Sequence, residues 1–466
     1  MSHWHELPMD HLATTTQDGR RVYLYPADVR GRFRRLRNGL NLGLILIFLG
    51  LPWFRIGGRP TILLDLPHRK FALFGVQFWA HDAPMIFLVL ASLALSIFFV
   101  TAVFGRLWCG YACPQTVFVD GVFRRIERWI EGDALERRRL DQAPWSSNKL
   151  LKKLLKWAVF VAVSLVIGHS FLAYFVGTER LAEMMAHSPL VNPSSFLVMA
   201  AVSALVLFVF GWFREQFCLI VCPYGRFQSV LMDDRSLVVA YDSTRGEPRR
   251  GSMLNSGKTG DCVNCYRCVA VCPTGVDIRR GTQMECIACS ACVDACDRVM
   301  ERLAKAPGLI RYGTLGGAFR WSSVLRPRAL LYGGLCLASM IALGLKVRAH
   351  TSLSAEFIRA TELPYQLVIA EDGTPSVINH FKLDLRNQDF DDFSVNVRLS
   401  SEARNRGVTL VMIQPEVHLK AGQSVRTDLF LRFPRELVKN GRASTALELF
   451  GKDALSMEVP LVGPLF

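Results

Sequence analysis

The chain has 466 residues, enough for two or three folding units, and 51% of them are hydrophobic while only 20% are charged, against roughly 25% charged in ordinary globular domains. With a mean hydropathy of +0.24 it reads as a membrane protein rather than a soluble one. Its net charge of +15 is concentrated beside apolar stretches instead of along one face, which is the pattern of cytoplasmic membrane loops and argues against nucleic acid as a partner.

Residues 1–37 carry seven arginines and no apolar core, so they read as a cytoplasmic N-terminal segment and not as a cleavable signal peptide. Met1, His3, His5, Met9 and His11 in this segment have side chains able to catch copper, although a mobile tail needs no such role. Five uncharged apolar stretches follow, about Asn38–Phe54, Pro84–Phe104, Trp157–Gly177, Ser194–Phe213 and Ala329–Leu345. Each is near the roughly 17–25 residues a helix needs to cross the bilayer. The 105–156 loop holds eleven Lys and Arg, and the 178–193 loop only Arg180. This asymmetry predicts that the N-terminus, the 105–156 loop and the 214–328 region are cytoplasmic. The parity of five spans then places the C-terminal tail outside.

Two thiol pairs fall on the same predicted side. "WCGYACPQT" carries Cys109, Cys113 and Pro114, and "FCLIVCPYG" carries Cys218, Cys222 and Pro223. With the residues before them they suggest an internal repeat of helical hairpins, each ending in Cys-x3-Cys-Pro. On a helix, residues i and i+4 share a face, so each pair is able to chelate a soft metal. Three readings stay open: a copper redox site, a third iron-sulfur cluster held by all four thiols, or inert core residues or a dithiol/disulfide pair. Residues 116–143 read as an amphipathic cytoplasmic helix with Val119, Val122, Phe123, Ile126 and Ile130 on its apolar face. His169 inside the third span is an intramembrane ionisable residue and so a functional candidate, while a hydrogen bond to a neighbouring helix explains it equally. His81 and Asp82 at the mouth of the second span fit a metal or proton role or a helix cap.

The strongest signal is Cys262-x2-Cys265-x2-Cys268-x3-Cys272-Pro273 followed by Cys286-x2-Cys289-x2-Cys292-x3-Cys296. This is the bacterial ferredoxin spacing, in which the fourth cysteine of each run ligates the other cluster. It assigns Cys262, Cys265, Cys268 and Cys296 to one 4Fe-4S cluster and Cys272, Cys286, Cys289 and Cys292 to a second. Structural zinc, the rival for four thiolates, pairs two C-x2-C units instead of three close cysteines with a trailing fourth. The second run ends in Asp297 rather than proline. Cys336, in the last span, reads as core. After His350 the pattern turns to alternation, as in "HFKLDLRN" and "FSVNVRLS", with "LFLRF" and "LELF" further on, which predicts a β-sandwich of immunoglobulin type.

Together these motifs predict a multidomain protein: an N-terminal segment (1–37), a polytopic α-helical membrane domain with four spans (38–235), a cytoplasmic two-cluster bacterial ferredoxin module (236–328), a fifth span (329–345) and a periplasmic immunoglobulin-like β-sandwich (346–466). "CPTGVDIRRGTQMECIACSACVDACD", the two Cys-x3-Cys-Pro motifs and "GLIRYGT" resemble the cytochrome c oxidase accessory protein family of the CcoG/FixG type over nearly the whole chain. The family pattern leads one to expect glycine where this chain has Ser290. The resemblance implies a bacterial inner-membrane cupric reductase, with two 4Fe-4S clusters as cofactors and copper as substrate, in which Cys109, Cys113, Cys218 and Cys222 form the redox site. It implies as partners a cytosolic electron donor, a copper transporter or chaperone, the assembly machinery of the cbb-type oxidase and the lipid bilayer. Two alternatives are a membrane ferredoxin exchanging electrons with quinol and another complex, and a non-catalytic assembly scaffold or copper carrier.

Overall fold

The computed structural model describes residues 14, 18, 20–56, 59–79, 83–250, 260–314, 324–360, 363–369 and 375–465. Five of its helices are long and apolar enough to cross a membrane: Arg32–Trp53, Ala83–Phe104, Ser147–Val176, Pro193–Phe213 and Pro327–Arg348. The third begins ten residues before the predicted Trp157. Lys149 and Lys156 interrupt hydropathy there, yet they lie buried, because Lys149 donates to the carbonyls of Asp141 and Ala143 and Lys156 pairs with Glu131 at 2.9 Å. Ser146 caps this helix, its hydroxyl accepting from the Lys149 amide. Spans three and four approach closely because Gly168 has no side chain; a Cβ there would stand 2.3 Å from Ser203 Oγ. The fourth span closes in π-helical turns at Leu207–Phe213, a form common at functional sites.

The 116–143 segment is not the single amphipathic helix that its periodicity predicts. It runs from Pro114–Phe118 through a π-helical turn, Val119–Phe123, into Arg124–Glu131, breaks at Gly132 (φ 94°), and resumes as Ala134–Gln142. Phe123 and Ile126 do pack inward, against Phe118, Phe160 and Ile167. Its acidic face is buried too: Asp120, Glu127 and Glu131 are each at most 5% exposed.

The cluster-motif region folds around the helices Arg267–Ala270 and Ala291–Arg302, closed by the antiparallel strands Val238–Tyr241 and Ile310–Gly313. Thus the "GLIRYGT" stretch becomes the strand that ties the end of the region to its beginning. The chain before the first span packs here as well, the Ala27 amide donating to Ala270 O at 2.8 Å.

Residues 64–87 and 342–466 form a second compact unit. One of its sheets orders the strands Thr409–Met412, Ser424–Pro434, Pro375–Asn387 and Leu353–Arg359, with Gln366–Ile369 also on Pro375–Asn387; the other orders Glu416–Leu419, Phe393–Leu399, Arg442–Phe450 and Ala454–Val462. Inward residues such as Leu383, Leu385, Leu431, Leu447 and Leu461 make a single core between the sheets. Sequence reading missed the meander before the second span, whose strands Lys70–Leu73 and Val76–Trp79 pair antiparallel. Trp79 Nε1 donates to Gln388 O at 3.2 Å and the indole meets Phe390 edge-on, 5.7 Å between centroids.

Candidate redox site

Within the ferredoxin region two loops repeat one backbone design. In the first, Asn264 and Tyr266 adopt the left-handed conformation; in the second, Ala288 and Ser290 do so. These are the residues just before and just after the middle cysteine of each triplet. The φ of +58° at Ser290 explains the expectation of glycine, since an L side chain costs roughly 1–2 kcal/mol there. The Ala288 amide bonds the Cys286 sulfur and the Ala291 amide that of Cys289.

The structure gathers the eight cysteines in two sets. Cys262, Cys265, Cys268 and Cys296 line one cavity of about 360 Å³. Cys272, Cys286, Cys289 and Cys292 line another of about 350 Å³, which Cys268 also touches. Among the described residues no carboxylate lines either cavity, and the remaining walls are mostly apolar. No three Cys, His, Asp or Glu among the described residues, the four membrane cysteines included, converge closely enough to hold one metal ion. Soft thiols spread around an apolar hollow, with amides turned onto their sulfurs, fit an iron-sulfur cluster. Burial pushes Cys268, Cys286 and Cys296 up to about 12, so in the free protein these thiols hold protons that cluster assembly must release.

The four remaining candidate cysteines come together from two chain segments, but not as helical i,i+4 pairs. Cys109 lies in the short helix Leu107–Tyr111, while Cys113 is the extended residue before the next helix, which starts on Pro114. Cys218 lies in a π-helical turn, Phe217–Val221, and Cys222 is the extended residue before the helix that starts on Pro223. Each proline therefore begins a new helix, at the position where its missing N–H costs nothing. The repeat seen in sequence is a repeated helix break. Burial first, then the neighbouring Cys113, pushes Cys109 up to about 12; burial and the same neighbour raise Cys218, which also feels Cys109 and Cys222. The four half-buried thiols thus share one neighbourhood, although no three of them converge on a single point, so an ion bound there is low-coordinate. Gln228, which no sequence pattern singled out, enters it as well: Cys109 Sγ lies 3.4 Å from its Oε1.

This thiol group lies against the second cluster site. A Cβ on Gly110, between Cys109 and Cys113, would stand 2.5 Å from Ile287 O and 3.1 Å from the Ala288 carbonyl. Arg106 donates to Cys286 O at 3.3 Å. Tyr111 donates to Ser290 Oγ at 3.4 Å, and Ser290 donates to Tyr312 OH at 2.5 Å. These residues were silent in sequence because their partners are more than 100 positions away or in another motif.

Beneath the thiols runs a buried ion network. Arg37 and Arg124 both pair with Asp120, and Arg124 reaches Glu215 at 3.1 Å. Burial pushes the Asp120 carboxyl up, but Arg37 and Arg124 outweigh it and hold the group well below its usual range. Arg214 grips Glu127 twice, at 2.6 and 3.0 Å, and Arg137 adds a third bond at 2.9 Å.

Other candidates stand apart. His169 Nδ1 bonds Leu165 O of its own helix at 2.7 Å, rather than a neighbouring helix. Cys336 is buried, 3.3 Å from Ser96 Oγ. His81 and Asp82, like Met1, His3, His5, Met9 and His11, lie outside the described residues.

Three family models match the chain: a "4Fe-4S binding domain" at 85–132, a "4Fe-4S dicluster domain" at 213–314 and an "IG-like fold at C-terminal of FixG" at 345–460. Protein RdxA of Cereibacter sphaeroides is 36% identical over 389 residues, 80% of this chain and 81% of its own. Nitrogen fixation protein FixG of Rhizobium meliloti is 35% identical over 412 residues, 79% of this chain and 77% of its own. Among solved structures, a FixG-related protein from Vibrio parahaemolyticus aligns over 25% of this chain and 100% of its own, at 12% identity and a TM-score of 0.20. With relatives of this identity over four-fifths of its length, five spans and a dicluster module, the chain belongs to the FixG family of membrane iron-sulfur electron-transfer proteins.

Proposed function

We propose that the chain is a cupric reductase that takes Cu(II) at Cys109, Cys113, Cys218 and Cys222 and releases Cu(I) for assembly of a cbb-type oxidase. One observation carries this reading: Gly110, directly after Cys109 of the first thiol pair, is seated on the Ile287–Ala288 backbone of the second cluster loop. The chain's own residues gather soft, half-buried ligands and hold them against the cluster module. Binding a cation there releases the thiol protons. Each copper gains one electron and leaves as Cu(I), the ion that soft, low-coordinate thiolates prefer. The clusters, held by the two sets of four cysteines, supply one-electron chemistry when bound. A separate electron source matters because Cu(II) would otherwise draw its electrons from the thiols and leave disulfides.

The sidedness follows in the same reading: ferredoxin module (236–328) cytoplasmic, sandwich (346–466) periplasmic. Two contacts support the parity behind it. Trp79, after span one, bonds Gln388, after span five, and Arg106, after span two, bonds Cys286, after span four.

The test is anaerobic. The purified protein should carry about eight irons; twelve would assign the four membrane cysteines to a third cluster, a reading that the family match at 85–132 keeps open. Dithionite-reduced protein should turn Cu(II) into Cu(I), read with a Cu(I)-specific chromogenic chelator. An unchanged rate after replacing all four membrane cysteines by serine rules the copper site out. A second reading rests on an open pocket between Arg106, Met232, Leu237, Gln283, Met284 and Cys286, beside the second cluster site. Rapid oxidation of the reduced clusters by a quinone, without oxidation by Cu(II), favours exchange with a quinol pool.

A further inference from the structure

Beside the second cluster loop lies a small cavity lined by Arg34, Arg37, Arg124, Arg125, Arg128 and Arg137. Among the described residues two carboxylates, Asp28 and Asp120, share its wall. Four of the six guanidiniums are paired: Arg37 and Arg124 with Asp120, Arg124 also with Glu215, Arg128 with Asp28 at 2.6 Å, and Arg137 with Glu127 at 2.9 Å. Neither Arg34 nor Arg125 has a carboxylate within salt-bridge distance among the described residues. In addition, the Nε atoms of Arg124 and Arg137 are buried without a hydrogen-bond acceptor, and Arg137 is only 6% exposed.

Arginine stays protonated under all ordinary conditions, so this excess of positive charge cannot be relieved by losing protons. Burying donors without acceptors costs about 1–3 kcal/mol each. A concave wall of planar guanidinium forks with spare donors is the chemistry that recognises phosphoryl oxygens. A carboxylate ligand would bring one charge and two oxygens; a phosphoryl group brings up to two charges and three oxygens.

We propose that this cavity binds the phosphoryl group of a ligand, supplied either by an anionic lipid headgroup or by a soluble phosphate compound. Its wall includes Val271 and Pro273, which flank Cys272, and Ala291, which precedes Cys292, so the bound anion sits next to ligands of the second cluster site. Added negative charge there disfavours reduction of that cluster, which makes occupancy a means of tuning it. The lipid source is compatible with Trp129, 76% exposed on the same helix as Arg124, Arg125 and Arg128, since tryptophan favours the bilayer interface.

The experiment uses the full, cluster-loaded chain under anaerobic conditions. Calorimetry in detergent measures inorganic pyrophosphate binding; in parallel, protein from phosphatidylglycerol or phosphatidylcholine nanodiscs is returned to detergent and its retained lipid phosphorus counted. Arg34→Gln/Arg125→Gln removes the two arginines that no ion pair needs, with iron content as the folding control. Saturable pyrophosphate binding weakened at least about 10-fold by the double substitution supports a soluble source. Retention of phosphatidylglycerol, but not phosphatidylcholine, lost in the same variant supports the lipid source. No binding of either probe, or a change below about threefold in the variant, overturns the proposal. Should the double variant lose iron, Arg125→Gln alone is read by the same criteria. No copper enters these measurements, so their failure is distinct from failure of the cupric reductase reading.

Discussion

Asp294 caps the first span from a distant part of the chain: its Oδ2 accepts from the Arg34 amide at 2.8 Å and its Oδ1 from the Phe33 amide at 3.2 Å. Asp294 lies between Cys292 and Cys296, so satisfying the first amides of a membrane helix and docking the cluster module are one contact. Removing an N-cap costs about 1 kcal/mol, and a negative charge at a helix N-terminus adds several tenths. Asp294→Ala should therefore lower the thermal midpoint of visible cluster absorbance by roughly 2–4 °C, and Asp294→Asn by less. Equal midpoints for Asp294→Ala and the wild type would refute the cap.

Gly110→Ala places a methyl where the Ile287 carbonyl already stands, 2.5 Å from its oxygen. Neither atom is the free end of a side chain, so the thiol segment and the cluster loop must separate. Iron content should hold while the rate of Cu(I) formation falls about 10-fold or more, a 1 Å misplacement being able to cost about 100-fold. A full rate in Gly110→Ala would show that this seat is irrelevant to electron delivery.

The Glu127 pair predicts an acid limit. Burial pushes this carboxyl up, but Arg214 overrides it and the group falls to about 2. A depressed carboxylate contributes stability that is fully present above its unfolded value near 4.5 and is lost as pH falls toward 2. The linkage is on the order of 3 kcal/mol at 1.36 kcal/mol per pH unit. Circular dichroism of the detergent-solubilised protein should show the midpoint falling between pH 4.5 and 2. Glu127→Gln should be destabilised at neutral pH by about 3–5 kcal/mol, since it strands Arg214 in the interior; Glu127→Gln/Arg214→Met should recover part of that loss.

Ser290 separates backbone from side-chain effects. Its hydroxyl joins Tyr111 and Tyr312, and its backbone is left-handed. Ser290→Ala keeps the unfavourable conformation and discards the hydroxyl, so it should cost about 1–2 kcal/mol. Ser290→Gly discards the hydroxyl but relieves the conformation by up to about 1 kcal/mol. Thermal unfolding should rank wild type, then Gly, then Ala; Ala above Gly would contradict the assigned strain.

What was legible in sequence were features carried by local spacing: the eight cysteines of the cluster runs, the five apolar spans and the alternation after His350. What was hidden depends on partners far along the chain. Asp120, Glu127 and Glu131 occupy the polar side of an amphipathic pattern, which on periodicity alone faces water; they are buried because Arg37 and Lys156 from the first and third spans and Arg214 from the turn after the fourth arrive to pair with them. The thiol pairs show the converse. Four-residue spacing implied one helix face, yet Pro114 and Pro223 start new helices directly after Cys113 and Cys222, and only the assembled fold brings the two breaks together.

The indole of Trp79 and its acceptor Gln388 are 309 residues apart. At about 5–20 residues per second of synthesis, the 64–79 meander waits roughly 15–60 s for the chain that will cover it. A premature stop in the last quarter of the gene would thus expose a stretch near its beginning, and a nicking protease would cut such a product close to Trp79 rather than near its new end.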